Sequence, residues 1–266
     1  MFGFEGHSYT PVQLYQVQSE QYQCQLYPPA AELAPYLHYL WCLQITAGAV
    51  QLPVVPDNSV DLVISAQGEA FCGLYFPTSE LFEIPLQGPA FYFGVCMQPH
   101  QACELFGRSM AELKLLEQRE QVQLQLVNDA LIGTLRGHLS RAEKMQVLQQ
   151  YLLDLANVSA QDVSAARNIV DADDLLNGSL ASLASMLHTS ERSLRRSAGE
   201  LFGFGPKKIH RVLRLQHIVQ QLLGGQQLPD VFYDDSHLTR ELKLLTGLTP
   251  GAIKRLAEKY NAKRQS

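Results

Sequence analysis

The chain has 266 residues, 46% of them apolar and 18% charged, so it can bury a core and is long enough for two domains. This composition excludes a disordered polymer, and Gly and Pro break the apolar stretches well short of the ~20 residues of a membrane span. Residues 1–107 contain no Lys or Arg, so we expect no secretory signal and a cytoplasmic location. The five Cys residues, with no C-x-x-C pair, favour free thiols.

Charge is distributed unevenly along the chain. Residues 1–158 carry 6 Lys and Arg against 15 Asp and Glu, a net charge of −9, whereas residues 159–266 carry 15 against 11, a net charge of +4. A polyanion would therefore be attracted to the C-terminal region and repelled from the N-terminal one. A basic surface that only aids solubility gives the same pattern. We expect a domain boundary between residues 158 and 159.

Short apolar runs separated by turns fill most of the first hundred residues. The runs are residues 36–45, 52–55, 60–65, 71–76, 81–86 and 91–97. With turns at 56–58, 67–68 and 87–89, this spacing predicts an antiparallel β sandwich or barrel. After Pro99, leucines recur at helical spacing and predict two to four helices that close an α+β fold. Their apolar faces pack either on the sheet or against a second copy of the chain.

Aromatic side chains are dense in the predicted sheet. Small barrels hold ligands among such side chains, which predicts an effector pocket lined by Tyr39, Trp41, Phe71, Tyr75, Phe91 and Phe93. A plain aromatic core is the alternative.

Soft donor atoms come together at Cys96, His100 and Cys103, which are weak candidates for a metal or redox site. Their C-x3-H-x2-C spacing matches none of the usual zinc patterns, and buried cysteines are common in cores. We therefore expect no metal and no cofactor. The sequence also has no G-x-S-x-G, H-E-x-x-H or Gly-rich phosphate loop, so we expect no enzyme.

The C-terminal region contains an internal repeat with an offset of 44 residues. The matched pairs include Leu194 with Leu238, Arg196 with Arg240, Gly203 with Gly247 and Pro206 with Pro250. Each copy predicts a helix capped by Ser190 or Asp234, a left-handed Gly that ends it, and a second helix that starts at Pro.

In the first copy an apolar helix from residue 180 and a short turn at 188–189 precede this unit, which predicts a helix-turn-helix motif. Its second helix has an apolar side and an opposite basic side, formed by Leu194, Ala198 and Leu201 and by Arg192, Arg195 and Arg196. Guanidiniums displayed in this way can bind guanine edges or phosphates. A solvated basic helix face is the alternative.

The second copy presents Ser236, Arg240 and Lys243 on one helix face. A helix of ~17 residues from Pro206 would span ~25 Å and hold two reading helices towards successive major grooves. Ahead of the second reader, residues 228–233 include Pro229, which leaves room for about one helical turn. We therefore expect the second helix-turn-helix motif to be truncated.

These strings resemble the AraC-type transcriptional regulators of the AraC/XylS family. The resemblance covers roughly residues 160–266, through Ser-Glu-Arg-Ser-Leu-Arg-Arg at 190–196 and Leu-Leu-Thr-Gly-Leu-Thr-Pro at 244–250. Pro-Asp-Asn-Ser-Val-Asp-Leu-Val at 56–63 is similar to the sensor domain of one subgroup. The resemblance implies an activator or repressor that binds DNA as a homodimer, responds to a small-molecule effector and contacts RNA polymerase.

The residues predicted to contact DNA, from the resemblance and from the basic start of the long helix, are Arg192, Ser193, Arg195, Arg196, Lys207, Lys208, Arg211, Asp235, Ser236, His237, Arg240 and Lys243. The chain departs from the family where an Arg-containing strand is replaced by residues 93–97, so an anionic ligand held by that Arg is not expected.

Our first hypothesis is a sequence-specific DNA-binding transcription regulator controlled by an effector in its N-terminal domain. The alternative is a ligand-sensing or partner-binding protein with a degenerate DNA-binding domain, favoured by the truncated motif and by the acidic N-terminal region. An enzyme acting at an unrecognised site is the third hypothesis.

Overall fold

The computed structural model describes residues 10–17, 19–69, 71–158, 180–186, 188–224 and 236–265. Five antiparallel strands form one open sheet in the order β1-β2-β5-β3-β4. They are β1 Tyr22–Tyr27, β2 Tyr39–Val54, β3 Val60–Gln67, β4 Cys72–Tyr75 and β5 Phe82–Met97. Helices follow the sheet, which confirms the predicted α+β class. Within the described residues β1 and β4 are edge strands, so the predicted sandwich or barrel is corrected to a single sheet.

Strands β2 and β5 are each 16 residues long, where the sequence pattern predicts two shorter strands. The turn predicted at residues 87–89 is wrong, because Gly88 lies inside β5 and pairs with Gly48 of β2. The register shifts between Ile45 and Gly48, and the positive φ of Gly48 accommodates this bulge. The far halves of β2 and β5 therefore continue beyond the sheet as a two-stranded extension. The turns predicted at 56–58 and 67–68 do end strands β2 and β3.

Five helices follow the sheet, where the sequence predicts two to four. They are α1 Pro99–Phe106, α2 Met110–Gln118, α3 Val122–Leu126, α4 Asp129–Arg136 and α5 Arg141–Val158. Their buried leucines, among them Leu113, Leu135 and Leu148, form one core with Leu62 and Phe93 of the sheet. The leucine faces thus pack on one face of the sheet, as one of the two alternatives predicts.

A second core covers the opposite face of the sheet. Its members include Tyr15, Tyr39, Trp41 and Tyr92. Trp41 lies directly across from Gly94 on β5, and a Cβ atom at Gly94 would come within 2.0 Å of the indole ring. The ring therefore lies flat on the glycine backbone, a close approach that no other residue allows.

The C-terminal region is helical. Its helices are α6 Leu180–Met186, α7 Glu191–Phe202, α8 Pro206–Leu223, α9 Ser236–Thr246 and α10 Pro250–Gln265. Local signals begin and end these helices as predicted. Ser190 Oγ accepts a hydrogen bond from the Ser193 amide at 3.1 Å at the start of α7, and Gly203 and Gly247 have positive φ at the ends of α7 and α9. The described part of the N-terminal region stops at Val158, so residue 159 at the predicted boundary, Asp234 and the truncated segment at 228–233 lie outside the described residues. None of the described helices has the length and apolarity to cross a membrane.

Helix α8 joins the two regions through a shared core. Its residues Leu215, Val219 and Leu222 pack with Val12 and Val55 of the N-terminal region. The N-terminal region therefore buries the helix that the sequence analysis predicts as a bridge between two DNA readers.

Buried polar contacts fix this junction. Gln216, 1% exposed, accepts from the Val12 amide at 2.7 Å and donates through Nε2 to the Pro56 carbonyl at 2.7 Å. Asn58 Nδ2 donates to the Ile209 carbonyl at 3.1 Å. The loop of residues 55–59, between β2 and β3, therefore holds α8 at two positions more than a helical turn apart. We call this loop the junction loop.

Candidate nucleic-acid interface and ligand cavity

Helix α7 presents three arginines to solvent. Leu194, Ala198 and Phe202 are buried on its inner side, and Leu201 packs against the core beneath the sheet. The exposed guanidiniums are those of Arg192, Arg195 and Arg196. The predicted separation of faces is therefore present, with Phe202 added to the buried side. We call the three residues the arginine face.

Ion pairs within α7 hold two of these guanidiniums loosely. Arg195 lies 2.6 Å from Glu191 and Arg196 lies 3.7 Å from Glu200, and the two arginine side chains are 58% and 75% exposed. Pairs at this exposure contribute little, because water screens them. A phosphate or guanine edge can displace such carboxylates, so the arginine face remains open to an anionic partner.

The first two turns of α8 carry three more of the cations predicted to contact DNA. Lys207 is exposed, and the exposed Lys208 donates to Ser79 Oγ at 3.3 Å. Arg211 forms an ion pair with Glu241 of α9 and is less exposed, at 37% of its side chain. Arg211 therefore links α8 to α9. Ser193 is half-buried and its amide is used in the cap of α7.

Helix α9 has a similar two-sided arrangement with fewer cations. Leu242 and Leu245 are buried, whereas the predicted contact residues Ser236, Arg240 and Lys243 are exposed. His237 belongs to the helix, and its side chain, like the whole of Asp235, lies outside the described part of the structure. Among its described side chains, α9 thus offers two exposed cations, Arg240 and Lys243.

The sheet face opposite helices α1 to α5 contains a cavity of about 710 Å³. The far halves of β2 and β5 form one wall through Leu52 and Ile84, and the sheet forms the floor through Trp41, Val63 and Tyr92. A cavity of this size holds a drug-sized molecule. The β2–β5 extension that the sequence analysis missed is what creates this enclosure.

Three of the six predicted pocket residues line the cavity, namely Trp41, Phe71 and Tyr75. Phe91 and Phe93 do not, because alternation along β5 turns them to the helix side while Tyr92 faces the cavity. Phe93 is fully buried, and Phe91 lies beneath Arg141 at 5.2 Å.

Tyr39, the remaining predicted residue, shares the cavity face but is 2% exposed and does not line the cavity. Its hydroxyl accepts a hydrogen bond from Gln16 Nε2 at 3.2 Å. Tyr39 is thus a core residue, as the alternative interpretation of the aromatics predicts.

Two carboxylates that the sequence analysis did not single out lie at the polar end of the cavity. Asp61 Oδ1 accepts from Trp41 Nε1 at 2.8 Å, and Asp57 Oδ2 accepts from Gln13 Nε2 at 2.7 Å. Burial raises the pKa of Asp57, and burial together with the neighbouring Asp57 raises the pKa of Asp61. Both residues belong to the string at 56–63, and their separation by four residues gives no periodic signal of a cavity.

The weak metal candidates are not brought together. Cys96 belongs to the core on the cavity side of the sheet and Cys103 to the core on the helix side. Burial raises the pKa of both thiols, that of Cys103 to about 11. Within the described ranges no group of three or more His, Cys, Asp or Glu residues is arranged to hold a metal ion.

Comparison with known proteins gives limited matches. Residues 25–116 match the family model DUF6597, described as a domain of unknown function. A crystal structure of an apo variant of ToxT from Vibrio cholerae is similar at 9% identity and a TM-score of 0.41, covering 90% of this chain and 99% of that one. A second ToxT structure is similar at 11% identity and a TM-score of 0.42, with coverage of 89% and 99%. No curated protein matches the chain.

Proposed function

We propose that the protein is a sequence-specific DNA-binding transcription regulator whose affinity for DNA depends on a small molecule in the cavity. The arginine face is the observation that carries this proposal. Its helix is fixed from behind by buried Leu194 and Ala198 and capped by Ser190, so the guanidiniums are displayed on a rigid rod. The resemblance of residues 190–196 and 244–250 to AraC-type regulators supports the same function.

The junction loop supplies a physical route from the cavity to the DNA readers. Asp57 and Ser59 face the cavity, while Pro56 and Asn58 of the same loop hold α8. Successive residues of one loop thus contact the two regions. A ligand that shifts Asp57 would also shift the contacts that position α8, and through it α7 and α9.

DNA binding should combine phosphate neutralisation with base readout, so affinity should fall steeply as salt rises. With a site selected from a random duplex library, we expect Arg196→Ala to weaken specific binding by about 1–3 kcal/mol and to relax base preference at one position. Lys208→Ala should weaken binding to all sequences alike. Arg119→Ala, which removes an exposed cation from the N-terminal region, is the matched control and should change little.

The outcome against this assignment is specific. Equal losses for Arg196→Ala on the selected site and on random duplex would assign Arg196 to backbone contact. No retention of either duplex by the wild-type chain at low salt would overturn the regulator.

The second candidate is a ligand-sensing or partner-binding protein that no longer binds DNA. The observation that favours it is the ion pair of Arg211 with Glu241, which commits one predicted phosphate-binding cation to packing of α8 against α9. This candidate predicts no binding of random duplex even at low salt, whereas ligand binding in the cavity is retained. A homodimer and contact with RNA polymerase remain further proposals, and sedimentation of the purified chain tests the first of them.

A further inference from the structure

The cavity lining carries charge of one sign. Among the residues that line it, Asp57, Asp61 and Glu69 are acidic, and none is Lys, Arg or His. The chain has no Lys or Arg before residue 108, and Arg136 and Arg141 lie at a separate hollow on the helix side of the sheet. Its described lining residues therefore offer a ligand carboxylates and no cationic side chain.

Asp61 is a buried carboxylate with no described neighbour of opposite charge. Its described titratable neighbours are Asp57, Tyr15, Tyr39 and Cys96, which are all acidic or neutral, and its hydrogen bond from Trp41 comes from a neutral donor. Isolating a carboxylate from water without a countercharge is costly, and such a group takes up a proton instead. A cation that enters the cavity would replace this proton.

Aromatic rings surround the space in front of these acids. Tyr15 and Trp41 lie with ring centroids 6.3 Å apart, and Tyr75 stacks with Phe82 at 6.3 Å. All four rings line the cavity. The negative face of an aromatic ring attracts a cation and repels an anion, so the rings and the carboxylates favour the same ligand charge.

We propose that the cavity binds an organic cation, an ammonium group carried on an aromatic or aliphatic skeleton, with the ammonium at Asp61. The apolar skeleton lies against Leu52, Ile84 and the aromatic rings. The identification of this cation as the effector rests on the proposed function, but the binding site itself does not.

Three probes with one skeleton and different head groups test this assignment. They are phenylbutylammonium, phenylbutanol and phenylbutyrate, titrated against the full chain near neutral pH. Trp41 is the one Trp in the sequence and lines the cavity, so its fluorescence reports binding directly. We expect the ammonium to bind at least about tenfold more tightly than the alcohol and the carboxylate to bind most weakly. Calorimetry in two buffers of different ionisation heat should show a proton released with the ammonium alone.

The variant Asp61→Asn tests whether the charge of the carboxylate, and not its size, binds the ammonium. Asn keeps an acceptor for Trp41 Nε1 and the size of the protonated carboxyl, so we expect the variant to fold, with thermal unfolding as the check. Its affinity for the ammonium should fall about tenfold and its proton release should disappear, whereas its affinity for the alcohol should stay within about twofold. Glu83→Gln removes an exposed carboxylate on β5 that does not line the cavity and is the matched control.

Four outcomes would overturn the cation assignment: equal affinities for ammonium and alcohol, tightest binding of the carboxylate, no saturable binding of any probe, or equal losses for both ligands in Asp61→Asn. DNA retention is measured on the same preparation without amines. Binding of the ammonium without binding of duplex would support the cation site and overturn the proposed regulator. Binding of duplex with a preference for the alcohol or the carboxylate would support the regulator and overturn the cation site.

Discussion

The sheet region and the helical region differ in where they place charged side chains: acidic ones are buried in the first, and basic ones are exposed in the second. In the sheet region Asp57 and Asp61 are enclosed beside a cavity, where removal from water raises their pKa values. In the helical region Arg195 and Arg196 stand in water, so their ion pairs are weak and exchangeable. The proposed ligands of the two regions therefore differ in charge: a small cation at Asp61 in the sheet region and a polyanion at the arginine face in the helical region.

Helix α8 belongs to both regions, so a substitution in its buried core tests whether the two regions depend on each other. Leu222 is fully buried in the shared core, so Leu222→Ala should lower the free energy of unfolding by about 2–5 kcal/mol. Trp41 fluorescence and far-ultraviolet circular dichroism should show one common transition at a lower temperature. Leu244→Ala, at a leucine that is 66% exposed, should change little. A fall in helical signal alone, with the Trp41 transition unmoved, would show that the two regions unfold independently.

The polar contacts of α8 give a smaller and more selective effect. Gln216→Ala leaves the Val12 amide and the Pro56 carbonyl without their side-chain partner, which should cost about 1–3 kcal/mol. The junction loop should then lose its hold on α8, and any effect of a cavity ligand on DNA affinity should diminish. Hydrogen exchange of the Val12 amide measures the loosening. His217→Ala, at the exposed neighbouring position, is the control, and equal exchange in both variants would argue against the junction.

The acids of the cavity make stability depend on pH. Burial and the neighbouring Asp57 raise the pKa of Asp61 above its ordinary value of 3.8, so this group keeps its proton to higher pH in the folded chain than in the unfolded chain. Stability from this group is therefore complete below that value and is lost as pH rises through the raised pKa. Asn at position 61 cannot ionise, so Asp61→Asn should gain about 1–3 kcal/mol over the wild type across that window.

Denaturant unfolding at a series of pH values measures this gain. The exposed Glu83→Gln control should show no such trend. A stability difference that stays constant with pH would contradict the raised pKa of Asp61.

The cap of α7 should have the smallest of these effects. Ser190→Ala removes the acceptor for the Ser193 amide and should lower the free energy of unfolding by about 1 kcal/mol. We expect the first turn of α7, which carries Arg192, to fray. Faster exchange of the Ser193 amide and a modest loss of DNA affinity are expected together. Ser197→Ala, within the same helix, should leave both unchanged, and an unaffected Ser193 amide in Ser190→Ala would show that the cap is dispensable.

Local signals in the sequence were sufficient for most of the helical region. Ser190, Gly203 and Pro206 act on their own neighbours, so their roles follow from the chain order alone and are confirmed by the structure. Alternation along β5 places Tyr92 on the face opposite Phe91 and Phe93, which the sequence predicts only if residues 82–97 form one strand. The Gly-Pro pair at 88–89 predicts a turn there and hides this pattern.

The cavity could not be predicted in the same way. Asp57, Asp61 and Tyr75 come from a loop and two strands, and they meet Leu52 and Ile84 only because the bulge at Gly48 lets β2 and β5 continue past the sheet. These residues meet only because distant segments pair in the folded sheet. Composition or spacing within one segment therefore does not predict the cavity.

The contact between Gly94 and Trp41 has a consequence for how the chain can diverge. An alanine at position 94 would force the indole of Trp41 and the backbone of β5 apart by more than an ångström, and that indole donates the hydrogen bond to Asp61. One methyl group at position 94 would thus disturb a ring that both donates to Asp61 and lines the cavity. We therefore expect a larger residue at position 94 only together with a smaller one at position 41, and this pair of changes would alter the cavity lining without altering any acid.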